Sequence, residues 1–473
     1  MQHSTATVVA PDRPLSMEML LNPRSIAFIG ASSNPEALGG RPIGFLASYG
    51  YAGTLYPVNP ERDEVQGLKS YASILDVPEV VDIALIAVRA ALVPGVLSDC
   101  ARAGVGIAIV MSSGFGEGQG RGAELLNRVA VGLAGSSMRI IGPNCEGLAS
   151  LPASAPMTFS PVLDIHRSGS RLTDGGIAIV SQSGGLGFAI AGWGTDVGLG
   201  YDYIVTTGNE IDVDALEIAD LLVEDERTTT VVLVIEAVRD SEEFRRLGVR
   251  LAAAGKHLVV AKLGRSEAGA RGALAHTQHV TGDHDAYREL FASVGAVSVS
   301  DNDELVDVLQ ALSKAKPVAG RRVGIVTTSG GAGVWLSDAL SEAGFDVPPL
   351  SESTCAVLAG HMPSYGSPVN PVDLTAQFLA GGSFVTPLRA LIDSGEVDLV
   401  VLTTSLSSSG RLAAEKDALA ALVAESPVPI AIYSYTKPAP SCVDILNAMN
   451  VPWYTNSHRT ARGLAALIPG GRS

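Results

Sequence analysis

Short runs of Val, Ile, Leu and Ala recur along the chain, each followed by a Gly-punctuated stretch whose apolar positions have helical spacing. The runs include SIAFIG (25–30), VDIALIAV (81–88), GIAIVM (106–111) and GGIAIVS (175–181). Further on come TTVVLVIEAV (229–238), KHLVVAKLG (256–264), RRVGIVTTSG (321–330) and VDLVVLTTS (397–405). Runs without polar alternation are the mark of strands covered on both faces. Strands separated by helices predict βαβ units and parallel sheets, an α/β fold.

At 473 residues the chain has room for about three domains. Two breaks divide the pattern: SLPASAPMTFSP (150–161) with the polar stretch to Asp174, and AKPVAGRR (315–322). Domains are therefore expected over 15–149, 172–315 and 320–470. Lys and Arg number 33 against 49 Asp and Glu, a formal net charge of −16, which argues against a nucleic-acid partner. With 47% apolar and 17% charged residues, the composition is the reverse of a disordered chain. Cys100, Cys145, Cys355 and Cys442 lie far apart with no CxxC pair, so neither a zinc site nor a disulfide framework is indicated. The first residues, MQHSTATVVAPDRPL, lack a signal-peptide pattern, and no apolar run approaches the 18 or so residues that span a bilayer. A cytoplasmic protein without a membrane partner is expected.

An internal repeat joins the second and third domains. IAIVSQSGGLGF (177–188) matches VGIVTTSGGAGV (323–334) at a constant offset of 146 residues. Each copy reads as a strand, a Gly-rich turn and a helix start, which gathers backbone N–H groups and the positive end of a helix dipole at one point. Glycines there also permit close packing of strand and helix, but two matched copies favour a shared phosphate. The first domain differs. Its opening strand runs into GASSNPEALGGRP (30–42), a loose dinucleotide-type turn without a strict GxGxxG. The next strand ends in TLYPVNP (54–60), with no acidic residue for a ribose, so the ligand indicated is nucleotide-like but not NAD.

SIAFIGASSNP, GYAGTLYPVNP, IIGPNCEGL, IVSQSGGLGF, TTGNEIDVD and NPVDL occur in this order. Together they resemble the NDP-forming acyl-CoA synthetases, the superfamily of succinyl-CoA synthetase, over Pro23 to Ile468. The resemblance implies a Rossmann-like CoA-binding domain followed by two flavodoxin-like ligase domains. It also implies an ATP-grasp domain, of which this chain shows none. An α-type subunit is therefore expected, in a hetero-oligomer whose ATP-grasp β-type partner binds most of the Mg-ATP or Mg-GTP. Such a ligase makes acyl-CoA from a small carboxylate, CoA and nucleotide.

By the same resemblance, Gly30, Ala31, Ser32 and Ser33 lie under the nucleotide part of CoA, and Arg41 pairs with one of its phosphates. Asn59 and Pro60 lie along the adenosine, and Val88 is at an adenine-contacting strand end, where Val88-Arg89-Ala90 replaces the usual Val-Pro-Ala. Ser113 and Gly114 guide the pantetheine, and Asn144 sits near the thiol. The phosphoryl carrier is His276, in Ala275-His276-Thr277-Gln278, where Gln278-His279 replaces a Gly-small pair. Glu236 holds the phosphohistidine loop, and Asn209 is a second candidate for that pocket. Gln182, Ser183, Gly184 and Gly185 bind the phosphoryl group from one helix start, and Ser329, Gly330 and Gly331 from the other. No metal site is expected, although His276, His279 and His284 with Asp283 and Asp285 offer a rival reading as ligands. Other classes on the same domains are an acyl- or carbamoyl-transferase without phosphohistidine, and a CoA-sensing module.

Overall fold

A computed structural model of the protein describes residues 14–115, 121–133, 135–169, 171–277, 282–377 and 382–468. It divides into two compact units, one running to Gly192 and resuming over Gly200–Ser298, the other comprising Trp193–Leu199 and the chain from Val299.

The first unit holds two sheets. One is five-stranded and parallel, in the order Thr54–Val58, Ser25–Ile29, Ile83–Ile86, Ile107–Val110, Arg139–Ile141. The other has seven strands, in the order Val297–Val299, His257–Lys262, Thr230–Ile235, Ile177–Ser181, Tyr201–Thr206, Gly147–Ser150, Ala155–Thr158. One continuous core serves both: Ile26, Phe28 and Met111 of the first sheet cluster with Leu148, Val180 and Val205 of the second. The far side of the first sheet packs Ile86 and Val110 against Val93, Leu97 and Cys100 of the helix Val93–Arg102. These are the unbroken apolar runs of the sequence, buried on both faces.

Residues 150–161 are not a plain linker. Gly147–Ser150 and Ala155–Thr158 form an antiparallel pair, Leu148 opposite Met157, that extends the second sheet along Tyr201–Thr206. Ala, Ser and Pro disguise this strand in the sequence, because its support comes from a sheet edge more than forty residues onward. A buried ion pair ties the two sheets as well. The Arg139 guanidinium grips both Asp212 oxygens, at 3.0 Å each, and both Glu217 oxygens, at 2.7 and 2.8 Å. Asp212 also accepts the Ile140 N–H at 2.7 Å, so the last strand of the first sheet is held by a loop of the second.

The second unit carries a five-stranded parallel sheet in the order Val372–Asp373, Val323–Thr327, Leu399–Thr404, Ile430–Ser434, Trp453–Tyr454. Val326, Leu402 and Ile432 build its core with Leu388, Leu419 and Leu446. All three sheets share one parallel strand order, 2-1-3-4-5, with the hairpin appended to the second. In that order the connections reverse between the first and third strands, leaving a crevice at their carboxyl ends where ligands bind. Among the described residues, no helix is long and apolar enough to cross a membrane.

Candidate active site

At the switch point of the first sheet, Gly30 follows the strand Ser25–Ile29 with φ +91°, and a Cβ there would stand 2.4 Å from the Ala87 carbonyl oxygen. The turn beyond it is built from its own polar groups. Asn59 donates its amide to the Ala31 carbonyl at 2.8 Å and accepts the Glu61 N–H at 2.9 Å. Gln66, which the sequence reading missed, donates to the carbonyls of Ser32 and Gly40 at 2.9 and 3.0 Å. Ser32 Oγ accepts the Asn34 N–H, and Arg41, first in the helix Arg41–Tyr49, donates to the Phe159 carbonyl at 3.4 Å. Asn59 thus holds the turn from within, with Pro60 beside it.

The next strand ends are laced together. Ser112 Oγ donates to the Val88 carbonyl at 2.6 Å and accepts the Val88 N–H, while the Ser112 carbonyl takes the Asn144 N–H at 3.0 Å. Asn144 has φ +59° and donates its amide to Asn209 Oδ1 at 3.3 Å. Asn209 therefore adjoins the expected thiol position.

Across from these groups, the strand Ile177–Ser181 delivers Gln182 to the switch point of the second sheet. Gln182 is buried, and all of its amide is used. Its oxygen accepts the N–H groups of Glu236 and Ala237 at 2.6 and 3.2 Å. Its nitrogen donates to the Ala237 carbonyl and to Glu210 Oε2, at 3.0 Å each. Glu210 is fixed in turn by Thr207 Oγ1 at 2.7 Å and the Ala215 N–H at 3.0 Å. A polar group with every bond made is rigid, so the Gly turn that follows starts from a set position. Ser181 Oγ then donates to the Ser183 carbonyl at 2.6 Å and accepts the Ser183 N–H at 3.2 Å, at the start of the helix Gly184–Thr195.

The repeat reproduces this device in the second unit. Thr327 Oγ1 donates to the Ser329 carbonyl at 2.8 Å and accepts its N–H at 3.0 Å, before the helix Gly330–Glu342. Each turn also has an acid beside its first glycine. A Cβ on Gly184 would lie 3.2 Å from the Glu146 Cβ, and one on Gly330 would lie 2.9 Å from Asp373 Oδ2. Neither acid was legible as a neighbour, because each comes from a distant segment.

Val88, Ser113, Asn144, Gln182, Ser183, Gly184 and Gly185 line one cavity of about 560 Å³ in the first unit, together with Leu38, Met111, Cys145, Glu146 and Phe159. Gly30 to Ser33, Arg41, Asn59, Pro60, Gly114, Asn209 and Glu236 are outside its lining. Ser329, Gly330 and Gly331 belong to the other unit. His276 falls on the last turn of the helix Glu267–Thr277, and Gln278 and His279 lie outside the described residues. In the rival metal reading, Asp283 instead caps the helix His284–Ser293, accepting the Asp285 N–H at 2.8 Å.

Burial tunes the charges here. It raises the Glu146 carboxyl above its ordinary range, with the Ser160 hydroxyl pulling the other way. It lowers the Lys262 ammonium to about 8, against the pull of Glu236, and Lys262 Nζ lies 4.7 Å from the Tyr287 ring centre. It pushes the Cys145 thiol up to about 12, with Sγ donating to the Val110 carbonyl. Cys145 is therefore a neutral thiol at working pH, not a nucleophile. Iodoacetamide at pH 7.5 is expected to label half-exposed Cys355 first and leave buried Cys145 intact in the native protein, read by peptide mass. Rapid labelling of Cys145 would contradict this burial.

The cavity fits an elongated thiol ligand. It has serine and asparagine side chains, apolar walls at Leu38, Met111 and Phe159, and a helix N-terminus at Gly184 and Gly185. Comparison with known proteins agrees. Residues 24–150 match the CoA binding domain family, and residues 174–312 match the succinyl-CoA ligase like flavodoxin domain. The chain is 32% identical to the alpha subunit of the ADP-forming acetate–CoA ligase I of Pyrococcus furiosus, over 96% of this chain and 97% of that one. It is 30% identical to the ADP-forming 4-hydroxybutyrate–CoA ligase of Nitrosopumilus maritimus, covering 95% of this chain and 63% of that longer one. Among solved structures, it superposes with a TM-score of 0.85 and 30% identity on the dinucleotide forming acetyl-coenzyme A synthetase 1 of Ca. Korarchaeum cryptofilum, in complex with phosphate and ADP, over 96% of both chains. With this layout of sheets, turns and cavity, the chain belongs to the succinyl-CoA synthetase-like family of NDP-forming acyl-CoA ligases, as an α-type subunit.

Proposed function

We propose that the chain carries the acyl and phosphoryl transfer half of an acid–CoA ligase, and that an ATP-grasp β-type subunit supplies Mg-ATP or Mg-GTP. The observation that carries this reading is the single cavity running from Val88 and Ser113 to the Ser183–Gly185 helix start. An acyl phosphate made at that helix start lies within reach of a thiol near Asn144. Gly30 to Ser33, Arg41, Asn59 and Pro60 form the outer, nucleotide end of the CoA site in this reading.

The cycle has three balanced steps. An imidazole nitrogen of His276 takes the terminal phosphoryl group and releases the nucleoside diphosphate. A carboxylate oxygen of the acid then takes the phosphoryl group from His276, giving an acyl phosphate and free imidazole. The CoA thiolate attacks the acyl carbon and phosphate leaves. Glu236 orients the imidazole through one ring nitrogen so that the other can attack. Gly184 and Gly185, at the helix start that Gln182 and Ser183 set in place, hold the phosphoryl oxygens by backbone N–H groups and the helix dipole, and Gly330 and Gly331, after Ser329, form the matching turn of the second unit. Asn209 steadies Asn144. The substrates of the relatives, acetate and 4-hydroxybutyrate, make a small monocarboxylate the first class to test.

The test is a labelling assay on the complex of this chain with its partner. With γ-labelled Mg-ATP, acid-labile label is expected on this chain, discharged by CoA plus a monocarboxylate. Absence of label from a complex whose partner binds nucleotide would refute the phosphohistidine cycle.

A further inference from the structure

Glu146 stands out in the cavity because nothing in the proposed cycle uses it. Its backbone is clamped from both sides: the N–H donates to Thr206 Oγ1 at 2.9 Å, and the carbonyl accepts Thr158 Oγ1 at 2.7 Å. The point from which the side chain leaves the backbone is therefore fixed. Glu146 is 8% exposed and lines the cavity with Asn144 and Gly184, and its Oε2 has no hydrogen-bond partner among the described residues. The Gly184 contact puts it against the first residue of the helix that receives the phosphoryl group.

A buried carboxyl with an unused oxygen is destabilising unless a ligand completes its bonding. One consequence follows for an acid in this cavity. A hydroxyl on its chain supplies both a donor and an acceptor, which satisfies the carboxyl in either protonation state. Burial raises the Glu146 carboxyl above its ordinary range.

We propose that Glu146 selects the acid, favouring a monocarboxylate with a hydroxyl on its chain. The inference rests on the ligase reading above.

Three acids of equal length isolate the effect: butyrate, 4-hydroxybutyrate and succinate differ only at the far end. In the complete two-subunit enzyme, wild type is expected to rank 4-hydroxybutyrate highest in kcat/KM. Glu146→Leu is expected to lower the ratio of 4-hydroxybutyrate to butyrate at least tenfold. Glu146→Gln, which keeps a donor and an acceptor, should hold that ratio within about threefold. The KM for CoA should stay within about twofold in both variants, which also reports that they fold. A wild-type preference for butyrate or succinate overturns the inference, as does a Leu variant that lowers all three acids by one factor. Failure of the wild-type enzyme to ligate any acid overturns the ligase reading and this inference with it. Ligation with unmoved ratios overturns the inference alone.

Discussion

A His276→Ala chain, assembled with its nucleotide-binding partner, is expected to carry no acid-labile phosphate and to lose ligase turnover by about 10⁴-fold or more. The size follows from the chemistry. Alanine offers no nitrogen to accept the phosphoryl group, and neither oriented glycines nor a helix dipole can store it. Residual turnover would need direct attack of the carboxylate on the nucleotide in the partner. The CoA cavity in this reading is lined by other segments, Val88, Ser113 and Asn144 among them. CoA affinity, measured by calorimetry, should therefore be unchanged. A variant that binds CoA normally, loses label and still ligates at the wild-type rate would refute the histidine step.

The second large effect is expected at Gly30. Its φ of +91° is disfavoured for any residue with a side chain, and the added Cβ would stand 2.4 Å from Ala87 O and 3.0 Å from Val88 Cγ1. The carbonyl belongs to the adjacent strand end and cannot swing away without breaking the sheet. Gly30→Ala is expected to weaken CoA binding at least 100-fold and to destabilise the first unit by several kcal/mol, on the order of 1–3 from backbone strain and the rest from the clash. Gly67→Ala separates the two contributions: its φ is +81°, but its Cβ would meet nothing within 4 Å. That variant should lose about 1 kcal/mol and keep CoA affinity. Equal effects at both glycines, measured by denaturant unfolding and CoA titration, would contradict the assigned role of the Ala87 contact.

Much of the architecture was legible because it rests on local patterns. Eight apolar runs mark strands buried on both faces, and the 146-residue repeat marks two strand-turn-helix units. The Ser181–Ser183 and Thr327–Ser329 bonds now show that repeat in atomic detail. The order of the family motifs likewise carried the expectation of a CoA ligase, which the relatives bear out. The hairpin at 147–158 escaped notice because its strands are stabilised by an edge they do not adjoin in sequence.

From local chemistry alone, the sequence determined the central strands of each sheet, the Gly-rich turns that follow them, and which residue types are available there. Only the tertiary structure decided how those groups meet. It brought Gln182 against Glu210 and Glu236, and turned Asn59 inward to Ala31. It set Glu146 beside Gly184, 38 residues away, with one carboxyl oxygen unpartnered. A strand or a tight turn is encoded over a few consecutive residues. Desolvation of a carboxyl depends on every segment packed around it, and those segments come together only when the sheets share their core.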